Sequence, residues 1–397
     1  MLDSKRPFGI RAFNALGIKI NLNAKDLMKK AQQKTGLQDF GPEEVLEPLS
    51  RLIESINTEA NLHPFGRFIS KQRLLNVLQN RLYAQELFRQ HPEILEIEIK
   101  APIIITGLQL TGTTRLHRLL SAHPDVRTLS SWEALNPIPL PNDAQNKKRL
   151  QFASLAEKAL RYMSPDFFAI HPVEAQAPEE DVLLNDMSFV SAVPEATMWV
   201  PSYALWVEEQ NHLMPYTYLK KVLQILSWQN SPQRWVLKTP QHLEYLAAVF
   251  QVFPDAKIIH TTRDPIKVVG SFSSMLYHSY RVFSDKVDGE KVAKFWLRKD
   301  AQMAKKALPY LIDASRVKTV PYGNMMQNVE AELEQICLFT KLAWNDEVGQ
   351  NMKALNKTNK QHKYGVHSYA LSDFNLSEEA VNQAFKPYSE QFNILHE

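Results

Sequence analysis

Between about Leu27 and Leu95, apolar residues recur every three or four positions, as in EEVLEPLSRLIESI and RLLNVLQNRLYAQELF, with Pro48, Pro64 and Pro92 as punctuation. That spacing predicts an α-helical leader, and no strand candidate lies in it. At Ala101 the pattern changes to APIIITG, a short isoleucine-rich run closed by glycine, as expected of a strand buried on both faces of a parallel sheet. Helical periodicity follows at once. The same alternation recurs in RWVLKTP before QHLEYLAAVFQVF, in AKIIHTTRDP before IKVVGSFSSMLYHSY, and in RVKTVPY before GNMMQNVEAELEQICLFTKL. Repeated βα units predict an α/β fold with a central parallel sheet covered by helices. A long, mainly helical insertion carries HPVEAQAPEED and the aromatic-rich MWVPSYALWVEEQNHLMPYTYL. We expect a helical N-terminal region over residues 1–98 and one α/β domain over 99–397, with the insertion at about 147–230.

Composition narrows this picture. The 397 residues, 44% of them hydrophobic, suffice for one large core or two smaller ones. Lys and Arg number 46 against 43 Asp and Glu, a formal charge of +3, so no global field draws the chain to nucleic acid or to an anionic membrane. Any anion site is local. The single cysteine, Cys337 in EQICLFTKL, reads as part of a buried helical face, which fits a reducing cytoplasm. The start, MLDSKRPFGIRAFNALGIKI, has no apolar run long enough for a signal sequence, and no run of about 18 apolar residues occurs anywhere. The expectation is a cytoplasmic protein without a transmembrane segment.

The stretch PIIITGLQLTGTTRLHRLL holds the first candidate chemistry. Gly107 and Gly112 stand at the G-x-x-x-x-G spacing of a phosphate-binding loop, after a strand and before a helix. Thr113 occupies the place where an ATP-binding loop has lysine, and Thr114 follows. A triphosphate needs that lysine and magnesium. The loop amides and the positive end of the helix bind phosphate without them, so the expected ligand is less charged. A phosphosulfate fits, because its sulfuryl group carries one negative charge fewer than a phosphoryl group and transfers without a metal. The plain alternative is a tight β-to-α turn with a good N-cap. Downstream, KIIHTTRDPIKVVGSFSSML places Arg263 at a strand end, Asp264 and Pro265 at the N-cap and first helical position, and Ser271 eight residues after Arg263. Such an arginine and serine can face one phosphate; a surface arginine and a packing serine are the alternative.

On these two motifs the chain resembles the PAPS-dependent sulfotransferases, in particular the bacterial branch with G-L-P-R-T-G-T-T loops. PAPS is 3′-phosphoadenosine 5′-phosphosulfate. The resemblance runs from TGLQDFG through LKTPQHLEYL and FPDAKIIHTTRDP to DFNLS. It implies a three-layer P-loop-NTPase-like fold, PAPS as sulfuryl donor, PAP as product and no metal. In that superfamily the first loop cradles the 5′-phosphosulfate, which maps to Gly107, Thr111, Gly112, Thr113 and Thr114. An arginine and a serine eight residues later hold the 3′-phosphate, which maps to Arg263 and Ser271. Trp199, Tyr203, Trp206 and Tyr218 point to a small or lipid-like hydroxylated acceptor, although aromatics so spaced also build cores.

Sulfuryl transfer to an alcohol needs a base at the acceptor hydroxyl and positive charge at the leaving phosphate. Glu133, in VRTLSSWEALNP, stands near where several branches place a glutamate base; Ser130-x-x-Glu133 also reads as a capping box. His242, in LKTPQHL, is two residues out of register with the catalytic histidine of the cytosolic enzymes, and is expected as second base, acceptor-orienting group or plain surface residue. Lys238 matches a family lysine near the transferring group; a strand-end lysine that snorkels is the alternative. His171, Glu179 and Glu180 stand in HPVEAQAPEED, which resembles a segment of the bacterial branch, and the resemblance implies a place on the acceptor side; their spacing does not support metal ligation. One departure matters: the branch has arginine immediately before T-G-T-T, and here Leu110 stands there. Loss of one such donor costs roughly 3 kcal/mol at the transition state. Arg115, leaning back from the helix, or Lys238 is expected to compensate. Otherwise the chain is a noncatalytic PAPS-binding protein; a P-loop kinase is a further rival, weakened by the missing lysine. Near the C-terminus lies KALNKTNKQHKYG, where related enzymes fold a basic loop over the 3′-phosphate; the resemblance implies Lys363 and Tyr364 as contacts, with solvated lysines as the alternative.

Overall fold

The structure, a computed structural model, describes residues 6–396 apart from 43, 142, 144, 231–232 and 359–368. Five strands, β1 (Ile103–Gly107), β2 (Val126–Thr128), β3 (Arg234–Lys238), β4 (Lys257–Thr262) and β5 (Val317–Pro321), form one sheet in the order β2-β3-β1-β4-β5. Every neighbouring pair is parallel. The isoleucine run of β1 occupies the centre, where Ile103, Ile104 and Ile105 are fully buried because helices cover both faces. Ile105 lies opposite Lys238, and Gly107 opposite Thr261. The carboxyl ends of β1, β3 and β4 are therefore level at one edge, and the loops that leave them meet there.

One face of the sheet packs Ile104, Leu237 and Ile258 with the helices Leu213–Trp228 and Leu246–Val252. The other packs Ile103, Ile105, Val236 and Ile259 with α5 (Thr113–Leu120) and with the helix Val329–Thr340, which carries the buried Cys337. The result is the three-layer α/β arrangement expected from the βα alternation.

The leader consists of α1 (Phe8–Ala15), α2 (Ala24–Thr35), α3 (Leu46–Thr58) and α4 (Pro64–Gln90). Its apolar stripes, with Leu27, Leu49 and Leu78 among them, share one core with Phe189, Val200, Tyr203 and Val207 of the insertion. The leader thus braces the insertion. Between β2 and β3 the chain also forms α6 (Ser131–Leu135), α7 (Lys147–Met163) and α8 (Pro165–Ile170). Among the described residues no helix is long and apolar enough to cross a membrane.

A buried ionic cluster ties the insertion to the helix Gly289–Ala307. Lys299 Nζ lies 2.6 Å from Glu195, 3.6 Å from Glu208 and 3.7 Å from Glu244. Burial pushes the Glu195 carboxyl up to about 7, against the opposing pull of Lys299. A carboxyl raised in the folded state holds a proton that the unfolded chain has released, so its contribution is present at low pH and is lost as pH rises through about 7. We expect the melting temperature of the wild type, measured relative to Glu195→Gln, to fall as pH rises from 4.5 to about 7. A difference that stays constant over that range contradicts the assignment.

Candidate functional site

β1 runs into α5 through residues 108–112, and the sheet edge dictates the shape of that turn. Gly107 has φ +153°, and a Cβ there would lie 2.4 Å from the Thr261 carbonyl oxygen, so no side chain fits between β1 and β4. Gly112, at φ +89°, caps α5, and a Cβ would lie 2.1 Å from the Met325 methyl group. Leu110 holds φ +60°, a conformation that costs a non-glycine residue about 1 kcal/mol and is kept only where the surroundings enforce it. The Thr111 hydroxyl supplies part of that enforcement: it donates to the Leu108 carbonyl at 2.7 Å and lies 2.6 Å from Thr261 Oγ1. Thr111 therefore closes the loop from inside. Thr113 and Thr114 open α5, and their amide groups sit in its first turn, where no intrahelical acceptor exists.

Lys238 ends β3 beside this turn. Its ammonium, 2% exposed, donates to Thr114 Oγ1 at 3.1 Å and to Glu180 Oε1 at 2.7 Å. The second Glu180 oxygen accepts from the Thr239 hydroxyl at 3.2 Å. Below this pair lies a buried relay. The Asp181 carboxylate accepts from the Lys238 backbone N–H at 2.8 Å, and its other oxygen lies 2.9 Å from His242 Nε2. The Tyr216 hydroxyl lies 2.8 Å from His242 Nδ1. Burial and the nearby Asp181 charge raise the Tyr216 phenol well above its ordinary value, so it stays protonated beside His242. Burial pushes the Asp181 carboxyl up, but His242 and the Lys238 amide outweigh it and hold it below the usual range. His117, beneath the loop, is pushed down to about 3 by burial and by the Lys238 charge, and stays neutral.

The second motif lands beside the first. Arg263 Nη1 donates to the Leu110 carbonyl at 3.1 Å, and its guanidinium stacks 4.2 Å above the Tyr322 ring centre. Asp264 caps the following helix, Pro265–Phe283, by accepting from the Ile266 amide at 2.9 Å. Ser271 lies on that helix, half-buried, and Gly270 before it lies against the Tyr369 ring. Leu110, Trp199, Met275 and Phe295 all pack against one apolar cluster of Phe272, Leu276, Tyr280, Val292 and Trp296.

Several expected contributors lie elsewhere. Glu133 sits in α6 with both oxygens engaged: one bonds Arg127 at 2.6 Å, the other accepts from the Ser130 amide at 3.1 Å and the Ser130 hydroxyl at 2.7 Å. The capping box of the sequence is real, and an ion pair 8–10% exposed completes it. His242 is fully buried and is neither a surface residue nor open to an acceptor, because the insertion covers it with Tyr216 and Asp181. Arg115 does not lean back to the loop; its guanidinium bonds Met326 Sδ at 2.9 Å and Asn356 at 3.1 Å. His171 stands in ring contact with Phe167, and the Glu179 amide bonds the Leu129 carbonyl at 2.8 Å. Lys363 and Tyr364 fall outside the described residues. Conversely, Asp181, Tyr216, Thr261 and Tyr322 carry no mark in the sequence, since nothing local identifies a residue that supports a partner 26 or more positions away. Among the described residues no group of three or more His, Cys, Asp or Glu is placed to hold a metal.

Comparison with known proteins decides the family. Residues 102–346 match the profile described as the sulfotransferase family, well over half of the chain. The chain belongs to the sulfotransferase family. Two solved structures are similar over nearly their whole length. Sulfotransferase STF1 from Mycobacterium tuberculosis H37Rv is 28% identical with a TM-score of 0.80, the match covering 92% of this chain and 99% of that one. Sulfotransferase STF9 from Mycobacterium avium is 25% identical with a TM-score of 0.86, covering 95% and 98%. No curated protein matches the chain. For this sulfotransferase, Glu133→Ala removes a helix cap and strands Arg127, and we expect a loss of about 3 kcal/mol in urea denaturation. A midpoint equal to the wild type contradicts a structural role.

Proposed function

We propose that this sulfotransferase moves a sulfuryl group from PAPS to a hydroxyl of a small or lipid-like acceptor and releases PAP. The observation that carries the reading is the Lys238 ammonium, shared between Thr114 at the start of α5 and the Glu180 carboxylate. The donor supplies an activated sulfuryl group, whose S–O bond to phosphate breaks as an S–O bond to the acceptor oxygen forms. The residues present fit such a donor. The amides of Thr113 and Thr114 and the positive end of α5 hold the 5′-phosphosulfate. Arg263 exchanges its bond to the Leu110 carbonyl for the 3′-phosphate, which Ser271 also faces.

Glu180 takes the role of base in this reading. Its side chain is 21% exposed, so an acceptor hydroxyl reaches it, and it lies beside the cation that meets the leaving group. Glu180 removes the hydroxyl proton, while Lys238 faces the phosphate oxygen on which the electron pair of the broken bond settles. Glu133 would first have to give up Arg127 and its cap. His242 acts as a positioning residue, holding Asp181 against the backbone of Lys238. Lys238, and not Arg115, answers for the arginine that Leu110 displaces. Leu110, Trp199, Met275 and Phe295 support an apolar acceptor, because a charged one would lose its hydration against them. The buried Cys337 supports a reducing, cytoplasmic setting.

A second reading rests on Leu110: the chain binds the nucleotide without transferring sulfate. Incubation with radiolabelled PAPS and a panel of hydroxylated acceptors separates the two, and magnesium-dependent ATP turnover would instead indicate a kinase. We expect labelled product. Glu180→Gln should lower kcat by roughly 10²–10⁴ while PAP still binds in calorimetry, and Glu133→Gln should retain transfer. Full activity in Glu180→Gln overturns the base assignment. Arg263→Ala should weaken PAP binding by about tenfold or more.

A further inference from the structure

The outer face of α7 has an unusual make-up for a helix that closes a globular surface. Lys148, Phe152, Leu155 and Tyr162 follow one another at helical spacing and share a face. Leu155 is 67% exposed, Tyr162 57% and Phe152 48%, whereas the opposite face buries Arg149 and Ala153. The stripe continues onto the leader. A Cβ on Gly9 would lie 3.6 Å from the Tyr162 hydroxyl oxygen, so the start of α1 adjoins the end of α7, and Phe8 there is 76% exposed. Contiguous apolar exposure of this kind marks an interaction surface.

Charge says what that surface meets. Lys147, Lys148, Lys158 and Arg161 of α7 and Arg11 of α1 are exposed around the apolar stripe. The acids nearby are compensated: Glu157 pairs with Arg161 at 3.2 Å and accepts from the Ala175 amide, and Asp285 pairs with Arg6 at 2.7 Å. The chain as a whole is nearly neutral at +3, so this basic rim is a local feature. Apolar side chains ringed by lysine and arginine suit the boundary between acyl chains and anionic headgroups, where the rings and leucine enter the apolar layer and the ammonium groups stay with the phosphates. A second copy of the chain would bring the same cations against themselves.

We propose that the α7 face, with Phe8, docks reversibly on an anionic lipid surface. α8 follows α7 directly and packs on the Pro265–Phe283 helix, so docking holds the helix that carries Ser271 and Met275 close to the lipid. The proposal does not depend on which donor or base the enzyme uses.

The full-length protein is sedimented with vesicles of phosphatidylglycerol mixed with phosphatidylcholine, and with vesicles of phosphatidylcholine alone. We expect binding to the former, weakening as salt rises, and little binding to the latter. Leu155→Glu and Lys158→Glu, both at exposed positions, should each weaken binding by roughly tenfold or more while the melting curve stays that of the wild type. Absence of vesicle binding overturns the proposal, as does binding that both variants retain. A wild-type dimer in light scattering that Leu155→Glu converts to monomer, without vesicle binding, assigns the face to a second copy instead.

Discussion

The ammonium of Lys238 lies 2.7 Å from Glu180 and 3.1 Å from Thr114, at a depth where only 2% of the side chain meets solvent. A charge so placed is tolerable only while its partners remain, because an unpaired ion in that position loses its hydration without compensation. The contact therefore fixes three parts of the chain relative to one another: the end of β3, the first turn of α5 and the acidic segment of the insertion. Each is held from behind as well. Asp181 grips the β3 backbone, Thr111 and Thr261 lock the loop to β4, and the leader shares its core with the insertion.

Leu110 shows how the site redistributes its charge. At the loop position where the bacterial branch has arginine, this chain turns an apolar side chain toward the cluster of Phe272 and Trp296, and the cations stand on neighbouring strands, Lys238 on β3 and Arg263 beyond β4. The Leu110 carbonyl is meanwhile the group that Arg263 holds. One residue thus meets the apolar wall with its side chain and the arginine with its backbone. In the proposed reading, that arrangement suits an uncharged acceptor next to an anionic donor.

Local chemistry made much of this legible in the sequence. The isoleucine run of β1, the glycines of the loop, the Asp264 cap and the Ser130–Glu133 capping box each depend on residues a few positions apart, and all appear as read. The capping box also explains why Glu133 was ambiguous: the same pattern serves a helix start and a base, and only the Arg127 contact weighs between them. Glu180 was visible as an acid on the acceptor side, but its partner Lys238 stands 58 residues away, and no periodicity links the two. His242 reads in the sequence as a second base, an acceptor-orienting group or a surface residue, and the groups that bury it, Tyr216 and Asp181, come from the insertion, where nothing local to His242 announces them. Arg115 was placed by helix geometry alone, which takes no account of Met326 and Asn356 arriving from the C-terminal helices.

The central claim is that a single nucleotide spans the α5 turn and Arg263, with Lys238 at the end where sulfate is transferred. A crystal structure of the protein with PAP tests it most directly. We expect the 5′-phosphate within hydrogen-bonding distance of the Thr113 and Thr114 amides and of Lys238, and the 3′-phosphate on Arg263 and Ser271. Nucleotide bound at another place, with Arg263 still on the Leu110 carbonyl, contradicts the claim.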